Sequence, residues 1–417
     1  MLTALALVFL AGLLLGEAAR RMGLPRIVGM LAAGILLGPC GLDLLDAALL
    51  TLSPDLRRMA LVIILLKAGL ALDPRDLRAV GRPAMCMAFL PALCELLAYT
   101  VLAPLFFGVT HTEAALMGSV LAAVSPAVVV PRMIALIEEG RGTARGIPQM
   151  ILAGASLDDV FVLVLFSTFT GLAAGKGASA AALLSVPVSI FCGVAAGLLG
   201  GLLLHRFLTT CGRNTGDPVR AILLLSCAFL LLALENALAG RLPLSGMLAV
   251  IAMACVLRRL PKNGGRRLAD SMGALWTGAE VLLFVLVGAA VDLRYTLYAG
   301  PRALVLLALA LTVRAVGVML ATAGAGLTRR ERIFCVIAYL PKATVQAAVG
   351  AVPLAMGLPC GSLVLSVAVL GILVTAPIGA WGIDRAAPRC LTRTDPKTPP
   401  PDCSPALSAL SSKENPS

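Results

Sequence analysis

Apolar and polar positions along this chain are sorted into long blocks rather than short alternations. Apolar runs of about 18 to 25 residues recur from the first residue to about Asp384, divided by short connections that carry most of the charge. At 1.5 Å per helical residue, a run of about 20 residues spans the hydrocarbon of a bilayer. The pattern predicts an all-α polytopic membrane protein with about thirteen transmembrane helices. Their centres fall near Val8, Ile35, Ile64, Leu93, Val124, Val160, Val194, Phe229, Ala252, Leu286, Leu309, Thr344 and Leu370. No soluble domain of any size fits between them, and an odd number of spans puts the two termini on opposite sides.

Two of these spans are interrupted. The fifth contains Val124-Ser125-Pro126-Ala127-Val128-Val129-Val130-Pro131, and the twelfth contains Leu340-Pro341-Lys342-Ala343-Thr344-Val345-Gln346, followed by Gly350 and Pro353. Proline removes a helix hydrogen bond and clashes with the preceding turn, so both spans are expected to unwind near their centres. They lie seven spans apart, an offset that reverses direction through the membrane. This is the pattern of two inverted repeats whose discontinuous helices cross at the midplane. Freed carbonyls and half-helix dipoles at such a crossing suit a small cation. Taken singly, either break also reads as an ordinary proline kink packed by its neighbours.

Charge adds orientation. Of the 34 Lys and Arg, 24 fall in one set of alternate connections and the C-terminal tail, and six in the other set. The basic set is expected on the cytoplasmic side, with the N-terminus outside and the C-terminus inside. The formal net charge of +12 therefore reads as a topology signal, and no nucleic-acid partner is implied. The first span is read as a retained helix, because its charges follow the apolar run instead of preceding it. Mean hydropathy is +0.97 and only 13% of residues are charged, which agrees with the membrane assignment. The eleven Cys form no C-x-x-C pair and have two His for company, so they are read as small apolar residues without a metal role. Residues 1–385 form the membrane domain. From Ala386 to Ser417 the chain turns to Pro, Ser, Thr and Lys, which predicts a disordered cytoplasmic tail.

The candidate chemistry lies within the spans. Asp158 and Asp159 stand side by side in the apolar stretch from Ile147 to Gly171; Glu95, Glu280, Arg314 and Lys342 are the other deep ionisable residues. Charges at bilayer depth are expensive and must largely satisfy one another. Glu95 and Arg314 sit in the fourth and eleventh spans, again seven apart, and are expected to pair. Adjacent helical residues point about 100° apart, so one aspartate can line an ion path while the other meets Lys342. Desolvation favours the protonated carboxyl, whereas a nearby cation favours the ionised one. One such site can hold a proton or a hard monovalent cation but not both, and with alternating access that competition yields cation/proton exchange. The bland alternative is an ion-pair network that only fixes helix packing. Glu280 is read equally as a functional residue and as a snorkelling or packing one; Lys67, Arg132 and Glu235 are read as interfacial.

At these residues the chain resembles the monovalent cation:proton antiporters, and within them the NHA branch of sodium/proton antiporters with its bacterial relatives. The carriers are Leu65-Leu66-Lys67-Ala68-Gly69-Leu70-Ala71-Leu72-Asp73, Ala123 to Pro131, Ala155-Ser156-Leu157-Asp158-Asp159, and Leu340 to Ala348. The resemblance covers nearly all of the membrane region. It implies a core ion-translocation domain and a dimerisation domain working as a homodimer by an elevator motion. It implies Asp159 as principal carrier of the cation and proton, Asp158 paired with Lys342, Arg314 paired with Glu95, and Ser125 with the unwound backbone around Pro126 as ion ligands. Glu280 and Thr344 are possible accessories. Two departures stand out. Animal members carry an acid within a Gly-Ala-acid-Val segment, where this chain has Gly288-Ala289-Ala290-Val291, so that role is absent or moved to Glu280. A long N-terminal cytoplasmic extension and an extra leading helix are also expected to be lacking.

The resulting expectation is a secondary active antiporter, not an enzyme, exchanging Na+ or Li+ for H+ across a cell inner membrane without a cofactor. Its partners are monovalent cations, protons, the lipid bilayer and a second copy of itself. A K+/H+ antiporter or K+ efflux system uses the same site chemistry with a larger ion. An intramembrane aspartyl protease requires two carboxylates facing one water, normally from different helices, and neighbours in sequence point apart. A passive channel fits poorly with carboxylates paired to fixed bases.

Overall fold

The computed structural model describes residues 1–71, 81–174, 180–210, 215–238, 244–261 and 264–393. Asp73 of the first family motif, several loop cations (Arg75, Arg78, Lys176, Arg213, Arg241, Lys262) and residues 394–417 of the expected tail lie outside them. The described residues form sixteen α-helices and one short 3-10 turn, with no strand. Each predicted span centre falls on a helix or, for Val124, in the gap of a broken one. Among the described residues nine helical segments are long and apolar enough to cross a membrane, and three apolar helices are shorter. The chain is an all-α polytopic membrane protein.

The first helices are α1 (Leu2–Arg21), α2 (Arg26–Leu37) and α3 (Ala47–Ala71), the last carrying Asp55, Arg57, Arg58 and Lys67. Next come α4 (Gly81–Phe107), the broken pair α5 (His111–Leu121) and α6 (Pro126–Glu138), and α7 (Ile147–Ala173). Helices α8 (Ala180–Thr210), α9 (Asp217–Ala237), α10 (Gly246–Leu257), α11 (Gly264–Ala289) and α12 (Leu293–Ala321) follow. The second broken span comprises α13 (Arg329–Ala338), α14 (Thr344–Gly350) and the single turn α15 (Val352–Ala355); α16 (Gly361–Cys390) closes the fold. Helix α16 runs five residues past the expected start of the tail, because Ala387 and Leu391 are buried.

The two broken spans are built alike. Each opens on a capping box, Thr110 with Glu113 and Thr328 with Glu331, in which hydroxyl and carboxylate satisfy each other's backbone N–H groups. In each, the capping threonine stands fifteen positions before the residue preceding the second half-helix, Ser125 or Ala343. Proline opens α6 at Pro126, where its missing N–H costs nothing.

Helix packing falls into two groups. Helices α4 to α7, α12 to α14 and α16 pack on one another, and α1 to α3 with α8 to α11 form the second group; contacts between the groups are sparse. The second group depends on small residues. Gly193, Gly197 and Gly201, four apart on one face of α8, lie against Ser245, which precedes α10, and against Ala249 and Met253 of that helix. A Cβ on Gly197 would meet the Ala249 carbonyl oxygen at 2.2 Å, so only glycine fits that backbone approach. Replacing Gly197 with Val is therefore expected to destabilise the protein by about 1–3 kcal/mol, the usual cost of overpacking. The apparent melting temperature in detergent reads this, with Gly200→Ala, whose added Cβ would meet only a Leu231 methyl at 3.9 Å, as the neutral control.

Candidate functional site

The breaks place four unwound segment ends together at the centre of the first helix group. Residues Ala122 to Ser125 separate α5 from α6, and Tyr339 to Ala343 separate α13 from α14. The two strips touch directly, because the Ser125 N–H donates to the Pro341 carbonyl at 2.8 Å. Helix C-termini carry partial negative charge and unpaired carbonyls, which attract cationic groups. Arg314 of α12 answers both breaks: its Nε donates to the Tyr339 carbonyl at 2.8 Å and its Nη1 to the Ala122 carbonyl. Lys342 donates to the Leu121 carbonyl, and the Gln346 amide donates to the Ala123 carbonyl at 2.9 Å.

These two cations share one carboxylate. Glu95 Oε2, on α4, accepts from Arg314 Nη1 at 2.7 Å and from Lys342 Nζ at 2.9 Å, and the Glu95 Oε1 atom lies 2.7 Å from the same ammonium as an ion pair. Glu95, Arg314, Lys342 and Asp158 are each at most 1% exposed, so the network is sealed from both solvent and lipid. The Tyr339 ring lies 5.5 Å from the Arg314 guanidinium carbon, adding a cation–π contact on that side.

The expected Asp158 to Lys342 pair does not form. Asp158 Oδ2 instead accepts from the Val124 N–H at 2.6 Å and lies 3.7 Å from Arg314 Nη2. The reason is local. Unwinding before α6 frees the Val124 N–H, and the adjacent carboxylate satisfies it, while the Lys342 ammonium is drawn to the carbonyl end of α5 and to Glu95. Thr375 of α16, which sequence reasoning missed, fixes the Lys342 backbone by accepting its N–H at 2.9 Å. Gln346 was also missed as a ligand of the break. Their polar side chains within the apolar stretches Val367–Ala376 and Val345–Val349 were the available signal.

Asp159 is the acid left over. Ion pairs account for the other four charges, but Asp159 makes no described ion pair and its Oδ1 has no hydrogen-bond partner. It lines a small apolar pocket between the helix groups with Leu61, Ile64 and Leu65 of α3, Ile251 of α10 and Thr344 of α14. The Thr344 hydroxyl and the Ser125 hydroxyl are likewise buried without partners. Asp159 and Thr344 thus supply oxygens to one pocket, and Ser125 stands at the start of α6 beside the Pro126 break. Among the described residues no cluster of His, Cys, Asp and Glu has the makeup of a resident metal site.

Glu280 is not part of this constellation. It lies on α11, in the second group, with Lys67 and Arg26 as its charged neighbours. Arg132 does not simply reach towards the interface, because its Nε pairs with Asp384 at 3.0 Å and ties α6 to α16. Beyond the Asp159 pocket, and sharing Leu61 and Ala348 with it, a cavity of about 630 Å³ opens between the two groups. Its walls include Arg57 of α3, Thr170 of α7, Glu235 of α9, Ser245 of α10 and Met356 after α15.

Comparison with known proteins agrees with this architecture. A family model described as sodium/hydrogen exchanger, transmembrane, matches residues 5–384. The protein is 35% identical over 358 residues to sodium/hydrogen exchanger 9B2 of Xenopus tropicalis, covering 83% of this chain and 65% of that protein. It is 33% identical over 388 residues to the Mus musculus protein of the same name, covering 90% and 70%, and 32% identical over 386 residues to the Homo sapiens one, covering 89% and 71%. The chain therefore spans only about two-thirds of the length of these relatives. In solved structures the fold matches the sodium proton antiporter MjNhaP1 of Methanocaldococcus jannaschii, with a TM-score of 0.81 at 20% identity over 93% of this chain and 98% of that one. With the family model matching almost the whole membrane region, the chain is a multi-pass membrane protein and belongs to the sodium/hydrogen exchanger family.

Proposed function

We propose that this protein is a secondary active antiporter exchanging Na+ or Li+ for H+, with Asp159 as the group that carries each in turn. The observation that carries this reading is charge balance. Glu95 and Asp158 match Arg314 and Lys342 one for one, so the buried network is neutral without Asp159. An ionised Asp159 leaves one uncompensated negative charge inside the membrane, which costs several kcal/mol. Either a proton or one bound monovalent cation removes it. The two cannot occupy the group together, and the unloaded carrier is too costly to move freely through an apolar seam. Relatives whose names state sodium/hydrogen exchange support the choice of ions.

The sparse contact between the two helix groups supports an elevator motion in which α4 to α7, α12 to α14 and α16 slide as one body carrying Asp159. Helices α1 to α3 and α8 to α11 would form the stationary scaffold and the homodimer interface. In the orientation with the N-terminus outside, the 630 Å³ cavity faces outwards, because it is bounded by the ends of α7 and α9 and the beginning of α10. The protein would reside in a cell inner membrane.

Lys342 and Arg314 are both held by Glu95, so neither has to release a proton when a cation arrives at Asp159. Exchange is then one cation for one proton. Three outcomes follow. Asp159→Asn abolishes pH-gradient-driven Na+ and Li+ flux in proteoliposomes while the protein still inserts, and robust flux by this variant would refute the assignment; parallel K+ flux tests selectivity. Glu95→Gln leaves two buried cations short of a partner and lowers the apparent melting temperature, a loss of about 3–5 kcal/mol, whereas Asp159→Asn, which removes no partner, does not. Solid-supported membrane recordings of the wild type show no net charge movement on a Na+ step; a sustained transport current contradicts the one-for-one scheme.

A further inference from the structure

The outer cavity contains a charge that the exchange scheme does not use. Arg57 lies on α3, one helical turn before Leu61, and is only 7% exposed. Its Nε donates to the Ser53 carbonyl of the preceding turn at 3.3 Å, and its Nη1 is buried without any partner. No described carboxylate lies within 4.0 Å of the guanidinium. The two acids that line the same cavity are placed otherwise. Asp55 is two residues away, about 200° around the helix, and Glu235 makes contacts of its own. Two hydroxyls on the cavity wall are in the same condition. Thr170 of α7 is 9% exposed and Ser245 of α10 is 2% exposed, and each has a buried hydroxyl oxygen without a partner.

A guanidinium cannot shed its charge by deprotonation in a protein, so burial without a counter-ion is a standing cost. Arg58 also lines the cavity, and with Asp55 and Glu235 it leaves the formal lining charge balanced, but the buried Arg57 guanidinium and the two buried hydroxyls are donors without an acceptor, a set that suits one small, singly charged anion. We propose that this outer cavity binds a small monovalent anion of the size of chloride, held by Arg57 with Thr170 and Ser245 as hydroxyl donors. The site is separate from the Asp159 pocket, but Leu61 lines both spaces. A positive charge one helical turn from Leu61, which lines the Asp159 pocket, opposes an arriving cation, and an anion that neutralises it removes that opposition. The bound anion thus raises the affinity for external cation. This last step rests on the proposed exchange function; the anion site itself does not.

The test uses the purified full chain in detergent, with chloride replaced by gluconate at constant Na+ and ionic strength. A ligand that binds only the folded protein raises its apparent melting temperature in a saturable manner. Chloride is expected to do so for the wild type, Arg57→Gln to lose the effect, and Arg57→Lys to retain part of it. Equal melting temperatures in the two salts, or an undiminished chloride effect in Arg57→Gln, overturns the site. If Arg57→Gln fails to fold, Thr170→Val combined with Ser245→Ala serves instead: the chloride midpoint should move several-fold upwards, and an unchanged midpoint overturns the proposal. In right-side-out vesicles the apparent KM for external Na+ should be several-fold lower in chloride than in gluconate. Chloride stabilisation without that change overturns the coupling to exchange while leaving the anion site in place.

Discussion

The structure hinges on one carboxylate serving two cations. Glu95 holds Arg314 and Lys342 together, and those two cations in turn cap the carbonyl ends that two broken helices leave inside the membrane. Unsatisfied backbone carbonyls in hydrocarbon are prohibitive, so unwound spans persist only where protein groups answer them. Charged donors do this best, yet they need a counter-charge of their own. Glu95 and Asp158 provide it. The breaks, the cations and the acids are therefore mutually necessary, and Asp159 is what remains when they have cancelled.

That arithmetic also separates two neighbouring residues. Asp158 is structural in its immediate contacts, because it satisfies the Val124 N–H freed by the break and faces Arg314. Asp159, about 100° further round α7, looks out of the neutral cluster into the seam between the helix groups. In the proposed elevator motion that seam is the sliding boundary, where an exchangeable charge has to stand if it is to meet each side in turn.

Much of this was legible in the sequence. The spans followed from the length of the apolar runs, both breaks from Pro126 and Pro341, and the Glu95 to Arg314 contact from the seven-span offset of a lone acid and a lone base. What was not legible depended on side-chain reach. The resemblance alone assigns Lys342 to Asp158, but a four-carbon stem can turn either way. Which way is decided by the carbonyl end of α5 and by Glu95, neither of which spacing reveals. Thr375 and Gln346 were overlooked because single polar residues in apolar helices carry little pattern. Arg57, one of the six cations counted in the less basic set of connections, is instead buried within α3. The close α8–α10 approach could have been read from glycines four apart.

The central claim is that a cation and a proton compete for Asp159 alone. Its most direct test is proton release on cation binding by the purified protein in weakly buffered detergent solution, at a pH where exchange is active. Addition of Na+ should acidify the medium by about one proton per chain at saturation, the count set by a single shared carboxylate, and Asp159→Asn should release none. No proton release from the wild type, or equal release from the variant, would contradict the account.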